Sequence, residues 1–399
     1  MTSLTSLADS YDVAIAGAGP AGTSAAIHLA EHGARVLIVE QKSFPRAKLC
    51  GEFISPECLS HFERLGVASQ MISAGGASLN RTVFYSCSGH SISVPSEWFG
   101  HERSALGLSR AEMDQKLLQR ARSVGVVVFE ASQVTDLVLD RGVVRGIRVK
   151  SGNETRTYYA HVTIDATGQG RALVRRLKQV GHAPKVRAKP HLVAFKAHLA
   201  NAGVDAGACE IYSYPGGYGG LSSIEGGLSN FCFIASAKDV RRCDSNPMTV
   251  IRRTVLKNSR AAKTLSHAQP DTDWLSVSLG TFGRRSLVPA ERLLTIGDAS
   301  AFIDPFTGSG MLMALQSGEV AARTILEYLG RLQEPGSFDS LASEYRSRYA
   351  KNFDSRFRIS RLLRHAAYAP RLAEAAILCF GASTLLRRKL ALSTRGASD

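Results

Sequence analysis

DVAIAGAGPAGTSAA, Asp12 to Ala26, decides the reading of the chain: an apolar strand runs directly into Gly17-x-Gly19-x-x-Gly22 and then into a helix reaching about His32. Each glycine has its own task. Gly17 makes the tight turn, Gly19 lets the backbone meet a pyrophosphate, and Gly22 lets helix and strand pack closely, with Pro20 and Ala21 between them. Gly33 ends the helix, and a second strand, Arg35 to Glu40 (RVLIVE), closes on an acid. Glu40 lies 18 residues beyond Gly22, near the roughly 20 expected for the carboxylate that holds an adenosine ribose. A lone glycine triplet would be weak evidence. Strand, glycines, helix, strand and terminal acid together point to a dinucleotide site.

A second stretch has the same logic. LLTIGDASAFIDPFTGSGMLMALQSGEVAA, Leu293 to Ala322, reads as a covered strand, a crowded loop and a helix starting near Gly310. Gly297-Asp298 ends the strand with a close-approach residue and a carboxylate suited to sugar hydroxyls. Pro305, Gly308 and Gly310 delay the helix, whose small and apolar face then recurs at Met311, Ala314, Gly318, Ala321 and Ile325. Its free N–H groups and positive dipole end would face a negative group in the loop. A third junction follows the apolar strand of HVTIDATGQG, where Asp165 leads into Ala166-Thr167-Gly168. All three belong on one sheet edge, where ligands of such folds collect.

Between these junctions, Ser55-Pro56 starts a helix with Ser as cap, and Ser109 with Glu112 forms a capping box at the head of another. Strand-like pieces at Thr82 to Tyr85 and Ser91 to Val94 suggest an excursion into a second lobe. Three further strands are expected at Val134 to Leu139, Val143 to Val149 and Thr155 to Tyr159. From about Gly181 to Arg285 the pattern alternates, with one helix expected from Met248 to Asn258 and a turn at Pro215 to Gly220 bordered by Tyr212, Tyr214 and Tyr218. These tyrosines suit the wall of a flat or greasy substrate site, although ordinary core packing explains the same aromatics. The tail from Phe338 is helical, with Tyr345, Tyr349, Phe353 and Phe357 on one side.

The chain has 399 residues, 44% of them hydrophobic, and a net charge of +15. Two lobes are expected at this length. No signal peptide or transmembrane run is evident, so the expected location is cytoplasmic. Seven cysteines lack paired metal spacing and read as reduced thiols, with no metal site. From Leu341 to Asp399 twelve Lys/Arg stand against four Asp/Glu, a bias that nucleic acid, an anionic membrane or an acidic substrate could use. No nucleic-acid signature accompanies it. Basic residues from Arg356 to Arg395 flank the apolar segment Leu372 to Leu386, which raises the expectation of peripheral membrane contact.

The N-terminal fingerprint, the FPRAKLCGE loop, the Ser109-Arg110…Asp114 helix, the Asp165 to Gly168 turn and GDASAFIDPFTGSG occur in order. In that order the chain resembles flavoproteins of the p-hydroxybenzoate hydroxylase-like fold, and within it the geranylgeranyl reductase branch. The resemblance implies an α/β architecture, α+β overall. It comprises a Rossmann-like FAD-binding domain at 10–80, 104–175 and 284–331, an inserted antiparallel β-sheet substrate domain at 81–103 and 176–283, and a C-terminal helical region at 332–399. It implies that Gly17, Gly19 and Gly22 meet the pyrophosphate, Glu40 the adenosine ribose, Arg110 the pyrophosphate or ribityl region, and Asp298 the ribityl chain. Arg46, Gly51, Val134, Gly168, Gly297, Pro305, Gly308, Gly310 and Met311 would complete the flavin site. Cys50 matches a cysteine near the flavin in prenyl reductases and is the candidate catalytic residue.

Where prenyl reductases carry Tyr-x-Trp-x-Phe-Pro, this chain has Glu210, Tyr212 and Tyr214 before Pro215. The Trp-x-Trp-x-Ile-Pro sequence of flavin halogenases is missing, since Trp98 and Trp274 stand far apart. Three functions fit these residues. Reduced flavin passes a hydride to a hydrophobic, isoprenoid- or polyketide-like C=C bond; it serves a monooxygenase acting on an aromatic or polyketide-like ring; or the protein is a membrane-associated electron-transfer flavoprotein. With only one Gly-x-Gly-x-x-Gly, NADPH or NADH would visit transiently, or a partner reductase would supply electrons.

Overall fold

The parallel core of the fold follows from short, largely apolar segments such as Val13 to Ala16 and Val36–Val39, because a sheet covered on both faces selects Val, Ile and Ala without alternation. A computed structural model of the chain describes residues 10–99, 103–179 and 191–393. In it, Val127–Phe129, Val36–Val39, Ser10–Ala16 and Glu154–Asp165 lie side by side, with Leu293–Thr295 paired to the last of these. All of these pairings are parallel, and Ala16 stands opposite Asp165, which stands opposite Thr295. The three strand-to-glycine junctions therefore emerge at one edge.

Thr155 to Tyr159 and the strand ending at Asp165 are not separate elements. One strand, Glu154–Asp165, is antiparallel to Val143–Ser151 along its first half and parallel to Ser10–Ala16 along its second. No turn residue interrupts Tyr159-Ala160-His161, so the chain has no means to break there.

The helices Pro20–Glu31 and Gly310–Tyr328 cross on one face of this sheet. Their contact is possible because position 318 has no side chain: a Cβ there would lie 2.4 Å from the Ala21 carbonyl oxygen and 2.9 Å from Ala25 N. Ser24 Oγ donates to the Leu315 carbonyl across the same crossing at 2.9 Å.

The second sheet runs Gln269–Pro270, Leu192–Ala200, Ser229–Ser236, Gly217–Ser223, Ala208–Tyr214, Arg81–Tyr85, Ser91–Pro95, with Leu275–Ser278 also on Leu192–Ala200. It is antiparallel except where Ala208–Tyr214 meets Arg81–Tyr85 in parallel, because these two strands arrive from separate excursions of the chain. The turn before Gly217–Ser223 is only Pro215-Gly216, and Gly217 to Gly220 are already in the sheet. The helix expected from Met248 to Asn258 is shorter. Pro247–Arg253 ends before a single 3-10 turn, and the Asn258 side chain instead caps the following helix, Ser259–Thr264.

Two caps also differ from expectation. Ser55 precedes its helix, but its hydroxyl lies against Cys58 Sγ at 3.6 Å and does not cap. Ser109 Oγ does accept from Glu112 N at 3.2 Å, whereas the returning arm comes from Glu225: Ser109 N donates to Glu225 Oε2 at 2.9 Å. A tertiary carboxylate has taken the place of the local one.

The C-terminal region begins with the long helix Ser337–Ala367, whose Tyr345, Tyr349 and Phe353 are buried against the first sheet's helices, with Phe357 partly buried beside them. Leu372 to Leu386 is not one segment, because the chain turns between Pro370–Gly381 and Thr384–Ser393. No described helix is long and apolar enough to cross a membrane.

Candidate functional site

The helices Pro20–Glu31 and Gly310–Tyr328 both start without a side-chain cap. Helix starts without a side-chain cap leave their N–H groups for another acceptor, and both open onto one cavity of about 1240 Å³ between the two sheets.

At the first start, Gly17 has φ of +105°, and a Cβ there would lie 2.5 Å from the Ala166 carbonyl oxygen, so only glycine closes this turn. Gly19 faces the opposite way. A Cβ on it would point at Arg46 Nη2 at 3.9 Å and Arg110 Nη2 at 4.0 Å, leaving a backbone surface walled by two guanidinium groups. Pro20 and Ala21 line the same cavity. Gly22 does not; it stands behind the turn, where a Cβ would be 2.0 Å from the Gly17 carbonyl oxygen. Its contribution is the close helix–strand packing.

Glu40 ends its strand buried, with Oε2 accepting from Ala18 N and Oε1 from Lys42 N, each at 3.0 Å. Those bonds aim the carboxylate and leave further lone pairs for hydroxyl donors. Arg110 is held by Asp114 in a two-pronged pair, Nε to Oδ1 and Nη2 to Oδ2 at 2.7 Å each. Burial opposes its charge, yet Asp114 raises the guanidinium above its ordinary value. Arg46 adds a contact to Asp114 at 3.3 Å, and its Nε is buried with no partner. Lys48 also lines the cavity; burial, then Arg110 and Arg46, push its ammonium down.

At the second start the wall is made by Gly297, Asp298, Pro305, Gly308, Gly310 and Met311. Burial pushes the Asp298 carboxyl up, and Lys48 pulls it back most strongly among its neighbours. Gly168, from the third junction, and Val134 line the same cavity, while Cys50 and Gly51 lie on its wall beside the second sheet. Two open helix starts, a bare glycine surface between guanidinium groups, an orphaned Arg46 Nε and a ribose-ready acid fit a dinucleotide carrying two phosphates. FAD is such a group; Glu40 would hold its adenosine ribose, and the Gly310 helix start would face its ring end.

The second sheet supplies the opposite wall. Ile211, Tyr218 and Ile234 from its strands, together with Phe84, Ile92 and Phe306, extend the cavity into an apolar arm. Tyr218 Oη donates to Asp304 Oδ1 at 2.9 Å, and its ring meets Phe306 edge-on at 5.2 Å between centroids. Tyr212 and Tyr214 are not part of this wall. Strand alternation turns them to the other face, where Tyr212 donates to Glu210 at 2.6 Å and Tyr214 to the Ile234 carbonyl at 3.0 Å, both fully buried. Cys209, Ile211 and Ser213 take the cavity side instead.

Sequence reading missed a cluster centred on Glu52. This residue is fully buried with φ of +52°, and its Oε1 accepts from Lys196 Nζ at 2.6 Å and Arg110 N at 2.8 Å. Its Oε2 pairs with His198 Nε2 at 2.7 Å. Burial works against its charge, but His198 and Lys196 hold the carboxyl below its ordinary value. Asn230 Nδ2 donates to the Cys50 carbonyl at 3.2 Å. The second sheet thus grips the Cys50-Gly51-Glu52 loop from its own side. Lys196 and His198 in the otherwise apolar LVAFKAHLA were the available signal, since a lysine there needs a buried partner. Cys232 faces Cys50, and burial pushes its thiol up to about 12.

Comparison with known proteins agrees with this geometry. A digeranylgeranylglycerophospholipid reductase of Methanopyrus kandleri is 25% identical over 361 residues, covering 87% of this chain and 84% of that one. A menaquinone reductase of Mycolicibacterium smegmatis is 27% identical over 366 residues, covering 88% and 84%. Among solved structures, the flavin-dependent brominase Bmp2 superposes with a TM-score of 0.80 at 22% identity, over 97% of this chain and 94% of its own, which is a likeness of fold. The family described as FAD binding domain matches residues 10–354. The chain belongs to that FAD-binding family and is an FAD-dependent oxidoreductase.

Proposed function

We propose that this oxidoreductase transfers a hydride from reduced FAD to a carbon–carbon double bond of a hydrophobic, isoprenoid- or polyketide-like substrate. The observation that carries the reading is the continuity of one cavity. Its polar end is fitted to a dinucleotide, and its other end is an arm lined by apolar side chains of both the second sheet and the C-terminal helices. Residues 10–80, 104–175 and 284–331 serve the cofactor in this reading, 81–103 and 176–283 the substrate, and 332–399 cover the arm. The relatives, reductases of digeranylgeranylglycerophospholipid and of menaquinone, favour the same chemistry and the same class of molecule. Peripheral contact with the membrane that holds such molecules belongs to the reading.

Bound in its reduced form, FAD supplies the hydride to one carbon, and the second carbon takes a proton. Cys50, half-buried on the wall between the polar end and the second sheet, is proposed to shape that wall and to deliver the proton, regaining it from solvent. NAD(P)H visits transiently, or a partner reductase delivers electrons. The test is anaerobic: holoenzyme reduced with dithionite is given geranylgeranyl lipid and, separately, menaquinone. Products carrying two more hydrogens on the isoprenoid chain are expected, read after air reoxidation of any quinol that dithionite forms by itself, with Cys50→Ala slowing turnover at least about tenfold while FAD stays bound. Oxygen-dependent hydroxylation of an added aromatic ring, with no reduced lipid in either anaerobic reaction, overturns the reading in favour of a monooxygenase.

A further inference from the structure

Ten large hydrophobic residues stand exposed among the described residues, and six of them fall in one short stretch: Leu362, Leu372, Leu378, Leu385, Leu386 and Leu392. Leu385 is 82% exposed and Leu362 73%. Such a density of bare leucine is costly in water and marks a surface that is covered in use. The same stretch is strongly basic. Between Ser355 and Ser393 there are eight Arg/Lys and one acid, Glu374. That acid is already engaged by Ser88 Oγ and His90 Nδ1 at 2.5 Å each. Arg358, Arg371, Arg388 and Lys389 are exposed beside the leucines.

The two helices here are apolar on two sides for two reasons. On Pro370–Gly381, Ala373, Ile377 and Phe380 face inward and line the apolar arm of the cavity. Leu372, Ala375 and Leu378, spaced by three, form the outer stripe. Thr384–Ser393 repeats the arrangement, with Ala391 inside and Leu385 and Leu392, seven apart, outside. Leucine flanked by arginine and lysine on a surface helix is the composition that sits at an anionic bilayer interface, leucine among the acyl chains and cations among the headgroups. A second copy of the chain would bring like charges together at this face.

We propose that the outer face of the Pro370–Gly381 and Thr384–Ser393 helices seats the protein on an anionic lipid bilayer. The cavity arm then lies one helix thickness from the membrane, so an apolar substrate passes from bilayer to cavity along these helices. This gives the membrane contact of the proposed function its surface; the docking is tested by binding alone, and only the delivery rests on the reductase chemistry.

The test uses full-length holoenzyme and sedimentation with vesicles of phosphatidylcholine alone or mixed with phosphatidylglycerol. Binding is expected to the mixed vesicles only and to weaken with added salt. Leu378→Glu/Leu385→Glu and Arg388→Glu/Lys389→Glu should each lower partitioning at least about tenfold while the FAD spectrum is unchanged. Turnover of detergent-dispersed substrate by the leucine variant should persist while turnover of vesicle-embedded substrate falls. Loss of all turnover in wild type with intact vesicle binding would count against the reductase reading and leave docking in place. Three results overturn docking: no binding to mixed vesicles, binding indifferent to the leucine substitutions, or leucine variants that abolish only self-association or capture of an acidic protein.

Discussion

Glu52 concentrates the local conflicts of this chain, being a non-glycine residue in the left-handed region and a carboxylate with no exposure to water. Such a backbone costs about 1–3 kcal/mol and persists where surroundings over-determine it. Lys196, His198 and the start of the Arg110–Ser123 helix do so here. Glu52→Gln leaves Lys196 buried without its counter-charge and should cost about 3–5 kcal/mol in thermal or urea unfolding. The double variant Glu52→Gln/Lys196→Met removes the stranded charge as well and should recover more than half of that loss. Because the folded state holds the Glu52 carboxyl below its ordinary 4.5, the clamp's stability is present above that value. It is lost as pH falls through the depressed folded value, and the acid limb of a stability–pH curve should flatten in the double variant. Gly19 tests the cofactor end. Gly19→Val places a side chain between Arg46 and Arg110, so the purified variant should be colourless, whereas wild type releases FAD and not FMN on denaturation. A fully yellow variant would remove Gly19 from the pyrophosphate site.

At the scale of elements, the Gly310–Tyr328 helix owes its place to one missing side chain. Gly318→Val would drive a Cβ into the Ala21 carbonyl and Ala25 N, both backbone atoms that cannot swing aside. The two helices whose starts face the cavity would be pushed apart. Unfolding should become easier by about 3 kcal/mol or more, and FAD should dissociate at least about tenfold faster, read by fluorescence recovery on dilution. Gly330→Ala, with nothing within 4 Å of its Cβ, is the control and should be neutral. The elements also show where local reading succeeds. Strand-to-glycine junctions are local because turn geometry and close approach involve neighbours in sequence. The capping box at Ser109 was only half legible, since its second arm comes from Glu225, which no local rule could place there.

For the whole molecule, the cofactor cavity is walled by both sheets, so cofactor and stability are linked. FAD at about a hundred times its Kd should add about 2.7 kcal/mol to folding, and stripping it should lower the midpoint of thermal unfolding reversibly. A midpoint indifferent to FAD would mean that the cavity is not a folded-state site for it. The dinucleotide-binding half of the fold, the glycine turn, Glu40 and the helix starting at Gly310 were determined by the sequence itself. Their requirements are short-range: backbone angles, helix starts and an acid at a strand end. Tertiary structure alone decided the rest. Which tyrosines reach the cavity depends on strand phase in the second sheet, which turns Tyr218 toward it and Tyr212 and Tyr214 away. The grip of Lys196 and His198 on Glu52 spans 144 and 146 positions, and only folding brings those charges out of water together.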